Sequence, residues 1–161
     1  MTTTVTTSLL FPGIESVETI FDSVRQIESY PHIMPDVRRV RILSKGTDTS
    51  SSAWDVEIDG CPLSWIQRDR FDAAAGTYCF EAVEGDFEVF RGKWQINESL
   101  EGMLVSFTVD YEVGIPIIED IIGPILKVKL HRNSLSMLES LKMEVIDLHL
   151  PVRQERLCVA R

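Results

Sequence analysis

Two polar side chains set into an otherwise apolar alternation are the first sign of chemistry in this chain. Over Leu63–Phe71 a period of two puts Leu63, Trp65, Gln67, Asp69 and Phe71 on one face, and Ser64, Ile66, Arg68 and Arg70 on the other. The first face is the more apolar, so Gln67 and Asp69 are the polar groups turned toward a core or a cavity. Desolvation raises the pKa of a carboxyl in such a place and suits it to proton transfer near neutral pH; in the alternative reading Asp69 pairs with a neighbouring arginine at the open end of the sheet. The second titratable candidate is His32, within Tyr30-Pro31-His32-Ile33-Met34-Pro35. Histidine is the natural proton shuttle around pH 7, and the alternative is a solvated side chain between two prolines. The sequence holds no GxSxG, no HExxH, no phosphate-cradling glycine loop and no dinucleotide fingerprint. Neither a metal nor another cofactor is expected. The three cysteines, Cys61, Cys79 and Cys158, have no CxxC spacing and read as reduced thiols of the core or the tail.

The elements that position these groups follow from periodicity. Thr3–Leu10 is rich in β-branched residues and ends at Pro12-Gly13, which predicts an opening strand. Val17, Ile20, Phe21, Val24 and Ile27 then recur at helical spacing, with Ser16 as a candidate N-cap. The two prolines of the next segment leave room for about one helical turn. From Val37 to Val113 the period becomes two, broken by polar stretches such as Gly46–Ser52 and by Asp59-Gly60, a hairpin signal of the primed type. From about Ile118 to Leu141 an apolar helical face that includes Ile122 runs through Gly123-Pro124, where a kink or restart is expected. Trp54, Trp65, Tyr78, Phe80, Phe90, Trp94, Phe107 and Tyr111 sit at strand spacing, able to flank a planar ligand or simply to fill a core. Tyr30 and Met34 belong to the two-proline connector, and Asn133 and Met137 lie beside the leucine stripe of the final helix. Arg91 and Lys93 alternate with Phe90 and Trp94 and should face outward.

Composition bounds the reading. The 161 residues are 44% hydrophobic and 25% charged, which fits one domain, taken as residues 1–145, with 146–161 as a tail. Sixteen Lys+Arg against twenty-five Asp+Glu leave a formal charge of −9, which disfavours nucleic acid and anionic membrane surfaces. No apolar run has the length of a membrane span, and Met1-Thr2-Thr3-Thr4-Val5 lacks the features of a secretory signal, so a cytoplasmic protein is expected.

The order strand, helix, connector, antiparallel meander, long helix is an α+β arrangement in which one helix must cover a wide, curling sheet. With Tyr30-Pro31-His32-Ile33-Met34-Pro35-Asp36-Val37 after the first helix, Trp65 followed by Asp72, and Gly85-Asp86-Phe87 with Gly92-Lys93-Trp94, it resembles the START/Bet v 1-like helix-grip superfamily. The likeness covers roughly residues 3–145 and is strongest to the polyketide cyclase/dehydrase and Coq10-like branch. It implies a curved sheet of about seven strands around a long C-terminal helix, with two short helices after the first strand and an internal hydrophobic cavity. In the cyclases a cavity arginine a few residues after a tryptophan is thought to hold an enolate oxygen, and Arg68 is the nearest match, one residue out of phase with Trp65. Two functions are carried forward. The first is a cyclase or aromatase acting on a polyketide-type intermediate, with an acyl carrier protein or another biosynthetic enzyme as partner. The second is non-catalytic carriage of a lipid, quinone or similar metabolite. A monomer or homodimer fits either, and a ribosome-associated role, known in the superfamily, is less attractive at this charge.

Overall fold

The computed structural model describes residues 2–114 and 116–149, the side chains at 116–119 and 122 excepted. The chain runs β1 (Thr3–Pro12), α1 (Val17–Val24), a 3-10 turn (Ile27–Ser29), α2 (Tyr30–Ile33), β2 (Val37–Lys45), β3 (Thr49–Ile58), β4 (Cys61–Asp72), β5 (Thr77–Gly85), β6 (Val89–Ser99), β7 (Gly102–Glu112) and α3 (Pro116–His149). This is the expected helix-grip architecture. All seven strands form one antiparallel sheet in the order β1-β7-β6-β5-β4-β3-β2, so five consecutive hairpins make the meander and β1 returns to pair with the last strand.

Alternation decides which face is inside. On β7, Met103, Val105, Phe107, Val109 and Tyr111 are buried while Ser106, Thr108 and Asp110 line the outer face. The outer side of the β1–β7 seam is held by cross-strand hydroxyl contacts: Thr4 to Asp110 at 2.6 Å, Thr6 to Thr108 at 3.3 Å and Ser8 to Ser106 at 2.8 Å. Asp59-Gly60 makes the two-residue turn between β3 and β4, with φ of 49° and 80°, the left-handed pair that a primed hairpin demands. α3 packs on β1, β7, α1 and α2, burying Leu130, Leu138, Leu141 and Val145.

Three details depart from the sequence reading. α3 is one helix through Gly123-Pro124, with no restart, and it continues to His149, past the point where the period fades. Ser16 occupies the N-cap in extended conformation but its hydroxyl caps nothing. Cys61 is exposed and Cys79 half-buried on the outer face, so neither is a core thiol; Cys158 and the tail from 150 onward lie outside the described residues.

Gly92 illustrates how tightly the inner face is packed. Its missing side chain leaves room for the Phe80 ring from β5, and a Cβ there would collide with that ring and come within 2.7 Å of the Thr108 carbonyl oxygen. Gly92→Ala should therefore destabilise the fold by about 1–3 kcal/mol, the usual cost of overpacking, as read by urea unfolding. An unchanged midpoint would mean that Phe80 is free to move aside.

Candidate functional site

The inner face of β3, β4 and β5 carries a closed polar network inside an aromatic shell. Ser50 and Ser52 on β3, Gln67 and Asp69 on β4, and Tyr78 on β5 share this face because each continues the alternation of its own strand. Asp69, 2% exposed, is the centre. Its Oδ2 accepts from the Ser50 hydroxyl at 2.7 Å and the Ser52 hydroxyl at 2.6 Å. Its Oδ1 accepts from Tyr78 Oη and from Gln67 Nε2, both at 2.6 Å. Two indoles extend the chain: Trp54 Nε1 donates to Ser52 Oγ at 2.8 Å, and Trp65 Nε1 to Gln67 Oε1 at 2.6 Å. The Trp65 contact fixes the Gln67 amide with its nitrogen toward the carboxylate. Four donors on two oxygens are a set that an ionised carboxylate accepts in full, which is how a buried charge avoids an uncompensated desolvation cost.

Around this network the aromatic rings interlock. Trp54 and Trp65 lie parallel at 6.1 Å, Trp65 meets Phe90 at 4.6 Å, Trp94 meets Phe107 at 5.0 Å, and Tyr30 from α2 sets its edge to Trp54 at 5.6 Å. The Tyr30 hydroxyl donates back to the Val24 carbonyl at 2.5 Å, pinning α2 to the end of α1. Burial, with the Asp69 charge adding to it, raises the phenol pKa of both Tyr30 and Tyr78 well above the ordinary tyrosine range. Neither phenol ionises near neutral pH.

Between these rings and α3 a cavity of about 60 Å³ remains. At roughly 10–15 Å³ per water in this measure, it has room for a few waters, far less than the ~300 Å³ at the lower end of small-molecule sites. Of the residues singled out for a ligand, Tyr30, Trp54, Trp65, Tyr78, Phe80, Phe90, Trp94, Phe107, Asn133 and Met137 line it, as does Gln67. Met34 and Tyr111 are buried elsewhere in the core, and the side chain of Ile122 lies outside the described residues. Asp36 and Asn133 join at the rim, the asparagine amide donating to the carboxylate, and Lys129 on α3 pairs with Asp59 at 2.6 Å beside them.

Of the four residues expected to act chemically, the structure brings Gln67 and Asp69 together and leaves Arg68 and His32 apart from them. Arg68 is exposed on the outer face. The register irregularity beside it belongs to β5, where Val83 is the extra residue, so the alternation of β4 is intact and Arg68 stays out. His32 is exposed on α2 and does not line the cavity. Asp69 sits behind Gln67 and Tyr78, and its partners are two hydroxyls, a phenol and an amide, not the arginine of the alternative reading. Only Gln67 reaches the cavity wall. Ser50 and Ser52 were hidden in the polar stretch Gly46–Ser52; the signal that finds them is the unbroken alternation Ser50, Ser52, Trp54, Val56, Ile58. Among the described residues no group of three His, Cys, Asp or Glu side chains is placed to hold a metal ion.

A family model described as polyketide cyclase / dehydrase and lipid transport matches residues 15–138, a span that takes in every element from α1 through most of α3. The chain belongs to that family. Among curated proteins similar to this family member are the ribosome association toxin RatA of Escherichia coli K12, 26% identical over 113 residues covering 70% of this chain and 71% of RatA, and the persistence and stress-resistance toxin PasT of Escherichia coli O6:H1, 25% identical over 113 residues, covering 70% and 71%. Among solved structures, TTHA0849 of Thermus thermophilus superimposes with a TM-score of 0.84 at 21% identity, covering 91% of this chain and 99% of that one. The Zhui aromatase/cyclase of Streptomyces sp. R1128 gives 0.75 at 17% identity, covering 90% and 93%. At such identities the likeness speaks for the fold. In this member of the family no described helix is long and apolar enough to cross a membrane.

Two outcomes test the network. Asp69→Asn turns an acceptor into a group that donates toward donors, and should cost about 2–4 kcal/mol in urea unfolding against about 1 kcal/mol for Ser50→Ala, which removes one hydroxyl whose bond is to Asp69; the reverse order would refute a central carboxylate. The raised phenol pKa values imply stability that is fully present below the unfolded tyrosine value of roughly 10 and lost as pH climbs through the folded values. In an alkaline absorbance titration Tyr30 and Tyr78 should therefore ionise only together with unfolding, and their titration in the folded state would contradict the burial described.

Proposed function

We propose that this protein binds an apolar, ring-containing small molecule in the cavity under α3 and carries it without chemical change. The observation that carries this reading is the chemistry of the cavity wall: mostly aromatic and aliphatic side chains, with Gln67, Asn133 and Ser134 as neutral polar groups and no lysine, arginine or histidine among the described lining residues. Its one carboxylate, Asp36, is engaged by Asn133, and its two phenols hold their protons at neutral pH. Cyclisation of a poly-β-ketone calls for a base near neutrality and a cation or donor set for the enolate, and the three groups first assigned to those tasks face solvent or are locked into the network. The family's description includes both cyclases and lipid transport, and the second half of it is the one this wall suits.

Loading requires expansion. The resting cavity of about 60 Å³ must open where Leu130 and Met137 of α3 face the rings of the sheet, and these flexible aliphatic chains are the movable wall. Similarity to the ribosome association toxins suggests a second reading, docking on a ribosome, against which the formal charge of −9 weighs.

Titration with N-phenyl-1-naphthylamine, followed by energy transfer from the tryptophans, should show saturable binding. Met137→Trp, which fills the cavity, should weaken it by about tenfold or more. A poly-β-ketone incubated with the protein should give the product profile seen in buffer. Absence of saturable binding, equal binding by the filled variant, or enrichment of one ring pattern would overturn the proposal.

A further inference from the structure

The outer face of the sheet carries a feature that the cavity does not use. Along β4 the outward positions are Arg68 and Arg70; on β6 they are Arg91 and Lys93, and all four side chains are exposed. The register places Arg70, Cys79 and Lys93 side by side across β4, β5 and β6, and Arg68, Glu81 and Arg91 in the row beside them. These rows line a groove of about 830 Å³. Four cations there face two outward carboxylates, Glu81 and Asp110, since the Asp69 carboxylate is turned to the inner face. Arg91 is paired with Asp110 at 3.2 Å. Among the described residues no carboxylate oxygen comes within 4.0 Å of the charged nitrogens of Arg68, Arg70 or Lys93. In a chain with nine excess acids, three neighbouring cations without an ion pair in one concave surface mark a local reversal of the field.

We infer that this groove is a docking surface for an acidic, extended segment of a partner protein. Outward residues two apart on a strand repeat at about 6.7 Å, so Arg68 and Arg70 match carboxylates spaced two apart on an extended peptide, while Lys93, two strands away at about 9.6 Å, engages a flanking acid. Guanidinium groups take carboxylates two hydrogen bonds at a time, which favours Arg68 and Arg70 as the anchors. The limited extent of the patch selects a short acidic peptide over nucleic acid. A longer polyanion leaves the groove for a surface on which Asp55, Glu57, Glu112 and the net charge repel it. The site is independent of what occupies the cavity, being on the opposite face of the same strands.

Fluorescence anisotropy with a fluorescein-labelled peptide of alternating Glu and Ser, its Gln–Ser counterpart and a single-stranded oligonucleotide of equal charge tests this on the full chain. The acidic peptide should bind and weaken by about tenfold between about 0.05 M and about 0.3 M salt. The uncharged peptide should not bind, and the oligonucleotide should bind no more tightly than the acidic peptide. Arg68→Glu with Arg70→Glu should weaken peptide binding by about tenfold or more, whereas Arg38→Glu, at an exposed arginine paired with Glu57 away from the groove, should leave it unchanged. Folding of each variant is checked by circular dichroism, and Lys93→Glu serves where the double variant does not fold. No binding at low salt, equal loss on Arg38→Glu, or tighter binding of the oligonucleotide would overturn the inference.

Discussion

The buried carboxylate of Asp69 is the constraint around which the inner face is arranged. An ionised group withdrawn from water is tolerated only if its lone pairs are filled, and here three adjacent strands each send donors to it: Ser50 and Ser52 from β3, Gln67 from β4, Tyr78 from β5. That requirement fixes strand register. A slip of one residue in β3 or β5 would send its donors to the outer face and leave a charge unsatisfied, so the network specifies one pairing far more sharply than apolar packing could. It also orients the walls, because the Trp54 and Trp65 indoles are tied to it through Ser52 and Gln67.

The same arrangement explains why a helix-grip sheet can be nearly full. One helix spanning a wide curled sheet leaves a void unless large side chains reach inward, and all three tryptophans do. Rings from β3, β4, β5, β6, β7 and α2 meet edge to face, tilted or stacked, contacts that gain attraction beyond area burial. The helix contributes smaller and more pliable groups on its side of the gap.

The fold was legible because its signals are local. Period-two alternation in β3 to β7, the Asp59-Gly60 turn and the prolines around α2 each act over a few residues, and each appears where the sequence reading places it. The site was legible only in part. Alternation told that Gln67 and Asp69 face inward, but not that Tyr78 and two serines from neighbouring strands would saturate the carboxylate, since that depends on register between strands. Arg68 entered the candidate site by analogy with a cyclase arginine, while the alternation of its own strand put it outside, where the structure has it. For His32 the solvated alternative is what the structure has, because a connector's place in the chain does not say which way a four-residue helical turn aims its side chains. Cavity size was beyond reach, because volume is the small difference between a large enclosure and the rings that fill it.

The pairing of β1 with β7 carries a consequence for how the chain is made. β1 is made before the other six strands of this sheet, yet its partner ends at Glu112, and the hydroxyl seam from Thr4 to Ser8 has nothing to bind until β7 exists. At ribosomal rates the roughly 90 residues between Pro12 and Gly102 take about 5–20 s to produce. Through that interval the meander closes hairpin by hairpin while a β-branched strand waits with both edges open. Its alternating Thr and Ser residues keep one face of the waiting strand polar, but it carries no charge and no bulge, so until β7 arrives its open edges are exposed to pairing with another nascent chain.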